Sequence, residues 1–184
     1  MQRCTAIQVN DTLQYDLGTS SVDLVITSTP LYIIESHAPK LFEWLEACVS
    51  LDGIVLLDLP GQYNKYTIST WLGERSTSWQ FQWGYALHDF YKVGDVQSLC
   101  AYARFEVPRP REIPYNRCTE RDMSHPCEFD AKLIRHLIQR YSQKYQTVLD
   151  PFCGTGTVPR QAYKLKRNGL GMDRRCPFTN REGK

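Results

Sequence analysis

Short apolar runs alternate along the chain with longer amphipathic segments. The runs VDLVIT (22–27) and GIVLLDL (53–59) are aliphatic and β-branched, which predicts two buried strands. Between them, segment 37–50 has apolar residues three and four positions apart, the spacing of an amphipathic helix. Strands that alternate with helices are typical of βαβ units and therefore of a mostly parallel sheet.

The same alternation continues towards the C-terminus. The pattern predicts a weaker helix at 66–75, then two strands at 79–90 and 96–106 that form a hairpin. It then predicts a helix at 129–141, a strand at 147–150, a helix at 157–168 and a strand at 169–173. We therefore expect an α/β fold built on one mostly parallel sheet with an antiparallel hairpin. The proline-rich stretch 107–126 has no period, which indicates an irregular connection, either a mobile linker or a functional loop.

Length and composition limit the chain to a few classes of protein. With 184 residues, 42% of them hydrophobic, it can bury one core, and we expect one domain over 1–184. It has no run of roughly 18 apolar residues and no apolar secretion signal at its start. We therefore expect no membrane association and a cytoplasmic protein, or a nuclear one in a eukaryotic host. Seven cysteines without a CxxC pair favour reduced thiols over disulfides or a metal site.

The most informative stretch is TVLDPFCGTGT at 147–157. A predicted strand ends at Asp150, a glycine-rich turn follows, and a predicted helix begins at Thr157. Glycines let the backbone approach a ligand closely, and the start of a helix offers unpaired N–H groups, so the stretch predicts a nucleotide-type pocket. Pro159 occupies the third glycine position of the dinucleotide fingerprint, and no GK[ST] follows, which disfavours NAD and phosphate-loop sites. Asp173, at the end of the next strand, is typical of an acid that holds ribose hydroxyls.

Three segments together resemble one family. DPFCGTGT resembles the D-P-F-x-G-x-G-T loop that binds S-adenosylmethionine in the amino-methyltransferases of DNA, which modify adenine N6 or cytosine N4. SHPCEFDAKLIRHLIQRY is similar to the segment that precedes this loop in the circularly permuted β-type members. SVDLVITSTPLY resembles their catalytic strand and loop. The three segments follow one another in the permuted order, catalytic loop first.

The resemblance implies a Rossmann-like S-adenosylmethionine-dependent methyltransferase fold, of the kind found in restriction–modification systems. It implies a catalytic half over about 1–106 and a cofactor-binding half over about 125–184. The cofactor would contact Asp150, Pro151, Phe152, Cys153, Gly154, Gly156, Thr157, Asp173, Phe129 and His125. For Phe129, packing in the helix core explains the residue as well as cofactor contact does. For His125, an ordinary turn before a proline does so as well.

The resemblance also assigns the catalytic loop, at Ser28, Thr29, Pro30, Leu31 and Tyr32. Ser28 can accept a hydrogen bond from an amino group, and serine at this position favours cytosine N4 over adenine N6. Thr29 replaces the first proline of the family pattern, and Leu31 stands in place of an aromatic residue. Tyr32 is the nearest side chain with a π face for stacking. A catalytically degenerate binding protein and an RNA-base methyltransferase are the alternatives.

Recognition of DNA would fall on the short segment at about 107–124. Arginines in or just before this segment can bind phosphates and a tyrosine can stack on a base: Arg104, Arg109, Arg111, Arg117, Arg121 and Tyr115. Because acidic residues are interspersed, a solvated loop is the alternative. The net charge of +2 requires any such surface to be local. Asp58, at the end of the second strand, is a further candidate pocket residue. We expect DNA as the partner, with RNA and a homodimer as open possibilities.

Overall fold

Seven strands form one sheet in the computed structural model, which describes residues 2–60, 78–88, 96–112 and 130–174. In chain order the strands are β1 (Cys4–Gln8), β2 (Val22–Ser28), β3 (Val49–Pro60), β4 (Gln80–His88), β5 (Val96–Ala103), β6 (Thr147–Asp150) and β7 (Asn168–Asp173). The described helices are α1 (Leu31–Cys48), α2 (Ala131–Tyr141) and α3 (Thr157–Lys164), and a short 3-10 turn spans Thr12–Gln14.

The strand order is β1-β7-β6-β2-β3-β5-β4. Neighbours from β1 to β3 pair in parallel, whereas β5 pairs antiparallel with both β3 and β4. This arrangement confirms the predicted α/β fold with a mostly parallel sheet and an antiparallel hairpin. It also brings the N-terminal strand β1 next to the C-terminal strand β7.

Several element boundaries differ from the sequence-based prediction. The first helix begins at Leu31 rather than at 37, because Pro30 serves as its N-cap and the buried residues Ile33 and Ile34 extend its apolar face. The last helix ends at Lys164 rather than at 168, since the chain turns through Lys166 at a φ of 65°. The strand β1 was missed because its sequence, CTAIQ, is only five residues long and has no clear alternation of apolar and polar residues. The predicted helix at 66–75 lies outside the described residues.

Both faces of the central sheet are covered. Val25 and Leu57 belong to a core cluster on the face that α1 covers, and Ile26 and Leu56 belong to a second cluster with α2 and α3. A sheet that is buried on both faces can receive a ligand only at an edge, which for parallel strands is the carboxyl edge. No helix among the described residues is long and apolar enough to span a membrane.

Arg104 was grouped with the candidate phosphate ligands, but the structure gives it a structural role. Its guanidinium lies 4.3 Å from the ring centroid of Trp79. It also donates hydrogen bonds to backbone carbonyls at the junction of α1 and β3, those of Glu46, Val49 and Ser50. The side chain therefore links the last turn of α1 to the start of β3.

Candidate functional site

Four polar side chains come together at the carboxyl edge of the sheet. Ser28 ends β2, Asp150 ends β6 and Asp173 ends β7, while Asp58 lies close to the end of β3. These strands are adjacent and parallel in the order β7-β6-β2-β3, so their carboxyl ends meet along one edge. Open α/β sheets bind their ligands at this edge.

The glycine turn between β6 and α3 is attached to β7. The Gly154 N–H donates to Asp173 Oδ2 at 2.9 Å, and the Cys153 N–H donates to the Met172 carbonyl at 2.8 Å. Gly154 and Gly156 have φ angles of 48° and 81°, in the left-handed region that favours glycine. Gly156 is the N-cap of α3 and makes no side-chain cap hydrogen bond. The turn thus presents glycine backbone without side chains beside a carboxylate that is held in a fixed position.

Close packing behind the turn depends on a glycine of β7. A Cβ placed on Gly169 would lie 2.1 Å from the Pro159 carbonyl oxygen, which is a severe clash. In the dinucleotide fingerprint a glycine of the helix permits the close approach of helix and strand. Here Pro159 occupies that helical position and the glycine lies on the strand instead. The sequence shows Pro159 only as a departure from the dinucleotide fingerprint, and the compensating Gly169 carries no signal in that fingerprint.

Asp150 is a buried carboxyl with a strongly shifted pKa. It is 3% exposed, and burial is the main reason that its pKa is raised from 3.8 to about 7. The negative charge of Asp173 contributes in the same direction. Two groups oppose this rise in pKa. The first is the Thr27 hydroxyl, which lies nearby without meeting the distance and angle criteria of a hydrogen bond. The second is the Phe152 N–H, which donates a hydrogen bond to Asp150 Oδ1 at 3.1 Å. Asp150 therefore retains its proton to higher pH than an ordinary carboxyl.

The loop after β2 is held against β3. Ser28 and Asp58 are direct cross-strand partners, so their side chains lie on the same face of the sheet, and Asp58 is only 6% exposed. The Thr29 N–H donates to the Asp58 carbonyl at 3.4 Å. The sequence signal for Asp58 was a polar residue near the end of an apolar strand, and the structure places it beside the predicted loop.

The remaining residues of this loop begin α1. The Pro30 carbonyl accepts hydrogen bonds from Ile33 N at 2.9 Å and Ile34 N at 3.4 Å, so the helix already uses its acceptor capacity. Leu31 is the first helical residue, and Tyr32 beside it is 44% exposed. The loop therefore offers the side-chain oxygen of Ser28 and, beyond it, an exposed aromatic ring.

The other predicted residues divide into three groups. Phe152 is partly buried against the core, and the Pro151 carbonyl accepts a hydrogen bond at 3.1 Å from the buried Thr12 hydroxyl, a contact that the sequence did not predict. Arg109 and Arg111 are exposed after β5. The remaining predicted contacts lie outside the described residues: His125, Phe129, Tyr115, Arg117 and Arg121.

Comparisons with known proteins agree with this architecture. A family model described as DNA methylase matches residues 60–178. Type II methyltransferase M.MjaI of Methanocaldococcus jannaschii is 47% identical over 45 residues, a stretch that is 24% of this chain and 15% of that relative. This chain therefore matches only a small part of the length of that curated relative.

Two solved structures share the fold. The PvuII DNA methyltransferase (cytosine-N4-specific) superposes with a TM-score of 0.74 at 15% identity, over 98% of this chain and 89% of that chain. The structure of M1.HpyAVI in complex with SAM superposes with a TM-score of 0.61 at 19% identity, over 84% of each chain. The seven-stranded sheet is thus a Rossmann-like methyltransferase fold.

Proposed function

Because the chain belongs to the DNA methylase family, whose model matches more than half of it, we propose that it transfers a methyl group from S-adenosylmethionine to an exocyclic amino group of a DNA base. The observation that carries this proposal is the meeting of two half-sites at one sheet edge. Ser28 and Asp58 form one half, and the glycine turn attached to Asp173 forms the other. Their strands, β2 and β6, are direct neighbours, so the two half-sites adjoin.

The residues of the glycine turn suit S-adenosylmethionine. The left-handed backbone at Gly154 and Gly156 lets the turn approach a ligand closely, and the start of α3 is the positive end of the helix dipole, which suits the carboxylate of the cofactor. Asp173, fixed by the Gly154 N–H, lies at the strand end where an acid binds ribose hydroxyls. When bound, the cofactor supplies an electrophilic methyl group. We assign its binding to Asp150, Gly154, Gly156 and Asp173.

The acceptor side needs oxygen atoms, because an exocyclic amino group is conjugated with its ring and is a weak nucleophile. Acceptors of its hydrogens orient the nitrogen for in-line transfer, and the proton that is lost passes to a carboxylate or to water. Ser28 Oγ is the first such acceptor. Asp58, its cross-strand partner, is the second, because its buried carboxylate lies on the same face. The Pro30 carbonyl already accepts hydrogen bonds from two N–H groups of α1. We therefore assign the backbone carbonyl of Thr29 as the third acceptor for the amino group.

Cytosine N4 is the favoured target. Serine at the first loop position accompanies this target in the family that the loop resembles, whereas an acidic residue would favour adenine N6. The predicted phosphate ligands Arg109 and Arg111 follow β5, which runs antiparallel to β3 and therefore ends at the opposite edge of the sheet, so we assign them no contact at this site.

The altered loop favours one alternative function, a methyltransferase-like protein that binds nucleic acid without modifying it. Thr29 and Leu31 depart from the family pattern at two positions. The contacts that fix the glycine turn involve β7 and not this loop. Loss of catalysis would therefore leave the cofactor half intact.

The test uses isotopically labelled S-adenosylmethionine with unmethylated genomic DNA and, separately, total RNA, followed by digestion and identification of labelled nucleosides by mass. Labelled N4-methylcytosine in DNA is the expected product. Ser28→Ala should abolish labelling while cofactor affinity stays within a few-fold, and Ser50→Ala, at the opposite end of β3, serves as the matched control. Cofactor binding without any labelled nucleoside would support the alternative function. Label in RNA alone would reject DNA as the substrate.

A further inference from the structure

The amino edge of the sheet, opposite the candidate site, carries exposed cations and tyrosines. There β1, β7 and β6 begin side by side as parallel neighbours. The helix α3 ends at this edge as well, because it returns the chain from the carboxyl end of β6 to the amino end of β7. Six exposed side chains lie just before these strands or at the end of this helix, and we call them the amino-edge patch: Arg3, Lys144, Tyr145, Tyr163, Lys164 and Lys166.

Hydrogen bonds join the turns that display this patch. The Tyr145 N–H donates to the Lys166 carbonyl at 2.8 Å, and the Lys166 N–H donates to the Tyr163 carbonyl at 3.0 Å. The side chain of Asn168 bridges two of the segments, since its Nδ2 donates to the Tyr145 carbonyl at 2.6 Å and its Oδ1 accepts from the Arg3 N–H at 3.2 Å. The backbone segments that carry the patch are therefore fixed relative to one another.

Two residues of the patch have an unusual backbone conformation. Tyr145 and Lys166 have φ angles of 71° and 65°, in the left-handed region that residues with a Cβ rarely adopt. Such conformations persist only where the surrounding contacts impose them, and they are frequent at functional sites. The Tyr145 side chain is 69% exposed, so packing in the core gives no reason for an aromatic residue here. The fold thus holds two exposed side chains next to each other on strained backbone.

Positive charge is concentrated in the segment that builds this edge. Residues 131–172 contain eight lysines and arginines, of which only Arg167 is buried, and one acid, the buried Asp150 at the carboxyl edge. The rest of the chain contains fourteen lysines and arginines and nineteen acids. Asp23, near the start of the neighbouring strand β2, is partly buried and accepts a hydrogen bond from the Thr147 N–H. The net charge of +2 therefore conceals a basic surface that suits a polyanion.

We propose that the amino-edge patch binds the phosphate backbone of a second segment of duplex DNA, separate from the DNA at the carboxyl edge. Lysine and arginine neutralise phosphates, and tyrosine hydroxyls donate hydrogen bonds to them, so all six side chains suit a backbone and none has to read a base. The partner is DNA because the chain belongs to the DNA methylase family. The inference goes beyond the proposed function and shares with it only this partner. Binding at the patch holds the protein on DNA without regard to sequence.

The salt dependence of DNA affinity tests the patch, because the slope of log affinity against log salt changes by about 0.9 for each phosphate that a cation neutralises. Fluorescence anisotropy would measure this slope for labelled duplexes of two unrelated sequences. Lys144→Gln combined with Lys166→Asn should make the slope shallower by about 2 and weaken binding of both duplexes equally. Asparagine is chosen at position 166 because it tolerates left-handed backbone. Lys144→Arg combined with Lys166→Arg keeps both charges and should retain the wild-type slope.

Lys132→Gln combined with Arg135→Gln is the matched control, because it removes the same charge from exposed positions of α2 outside the patch. This control should retain the wild-type slope. An equal change of slope in the control would show that DNA affinity follows overall charge, and an unchanged slope in the patch variant would show that DNA does not contact the patch; either result overturns the inference.

Methyl transfer from labelled S-adenosylmethionine, measured with the same proteins, tests the proposed function separately. A slope that depends on the patch, without methyl transfer by the wild type, would reject the proposed function and support the patch. Methyl transfer with a slope that does not depend on the patch would support the proposed function and overturn the inference.

Discussion

Replacing Asp150 with asparagine should make the protein more stable at alkaline pH, because the native state holds this carboxyl in its protonated form. Its pKa is raised by burial from 3.8 to about 7 in the folded chain. The native state therefore binds the proton more tightly than the unfolded state does. The resulting stabilisation is fully present below about pH 4 and is lost as the pH rises through about 7.

The size of the effect follows from the two pKa values. Between about pH 5 and about pH 8, one carboxyl with these values removes roughly 2–3 kcal/mol from the free energy of unfolding. The asparagine side chain cannot ionise and would keep most of the shape and hydrogen-bonding capacity of the carboxyl group that it replaces. The stability of Asp150→Asn relative to the wild type should therefore rise by that amount across this interval.

Urea unfolding of the cofactor-free protein at both pH values, followed by circular dichroism, would measure the difference. Using the difference between variant and wild type cancels the contribution of histidines and other groups common to both. Asp52→Asn, at an exposed position in β3, is the control and should change stability equally at the two pH values. If Asp150→Asn and the wild type lose stability in parallel between the two pH values, Asp150 is not a protonated buried carboxyl.

Three further changes test the scaffold and the cofactor site. Gly169→Ala should lower the free energy of unfolding in urea by about 1–3 kcal/mol or more, because its Cβ would lie 2.1 Å from the Pro159 carbonyl oxygen. Gly84→Ala is the control and should lower it far less, because its Cβ would meet nothing closer than 3.5 Å. Equal losses of stability in the two variants would contradict the packing of Gly169 against Pro159. Arg104→Gln should lower the free energy of unfolding by about 2 kcal/mol through loss of its bonds to backbone carbonyls, whereas exposed Arg135→Gln should change it by less than about 0.5 kcal/mol. Asp173→Asn should weaken S-adenosylmethionine binding about tenfold, because a hydrogen bond to a charged group contributes about 1.5–3 kcal/mol. Calorimetry would measure the affinity. An unchanged affinity would show that Asp173 does not bind the ribose.

Local patterns were sufficient to predict most of the sheet. The apolar runs that became β2 and β3 are buried on both faces, and such strands carry a strong sequence signal. The strand β1 is short and lies at the edge of the described sheet, where its partner is β7, from the other end of the chain. Its existence depends on that distant partner, so no local pattern could reveal it.

In the candidate site too, features with a local sequence signal were predicted, and features that depend on how the strands are arranged were not. The glycine turn and Asp173 were predicted because the turn follows a recognisable strand and Asp173 ends one, and the structure joins them through the Gly154 N–H. The pairing of Ser28 with Asp58 depends on the register between β2 and β3, which the sequence does not specify. The cation–π contact between Tyr32 and Arg174 requires three strand ends to be placed in order, and it was not predicted for the same reason.

The separate attachment of the two half-sites determines what changes in the acceptor loop can do. Thr29 is bound to β3 through the Asp58 carbonyl, whereas the glycine turn is bound to β7 through Gly154 and Cys153. A substitution in the loop after β2 therefore leaves the contacts of the glycine turn in place, and cofactor affinity should not follow catalytic activity. Restoring the aromatic residue with Leu31→Tyr tests this separation. If the loop alone limits catalysis, methyl transfer to DNA should increase while S-adenosylmethionine affinity stays constant, and a change in that affinity would show that the two half-sites are coupled.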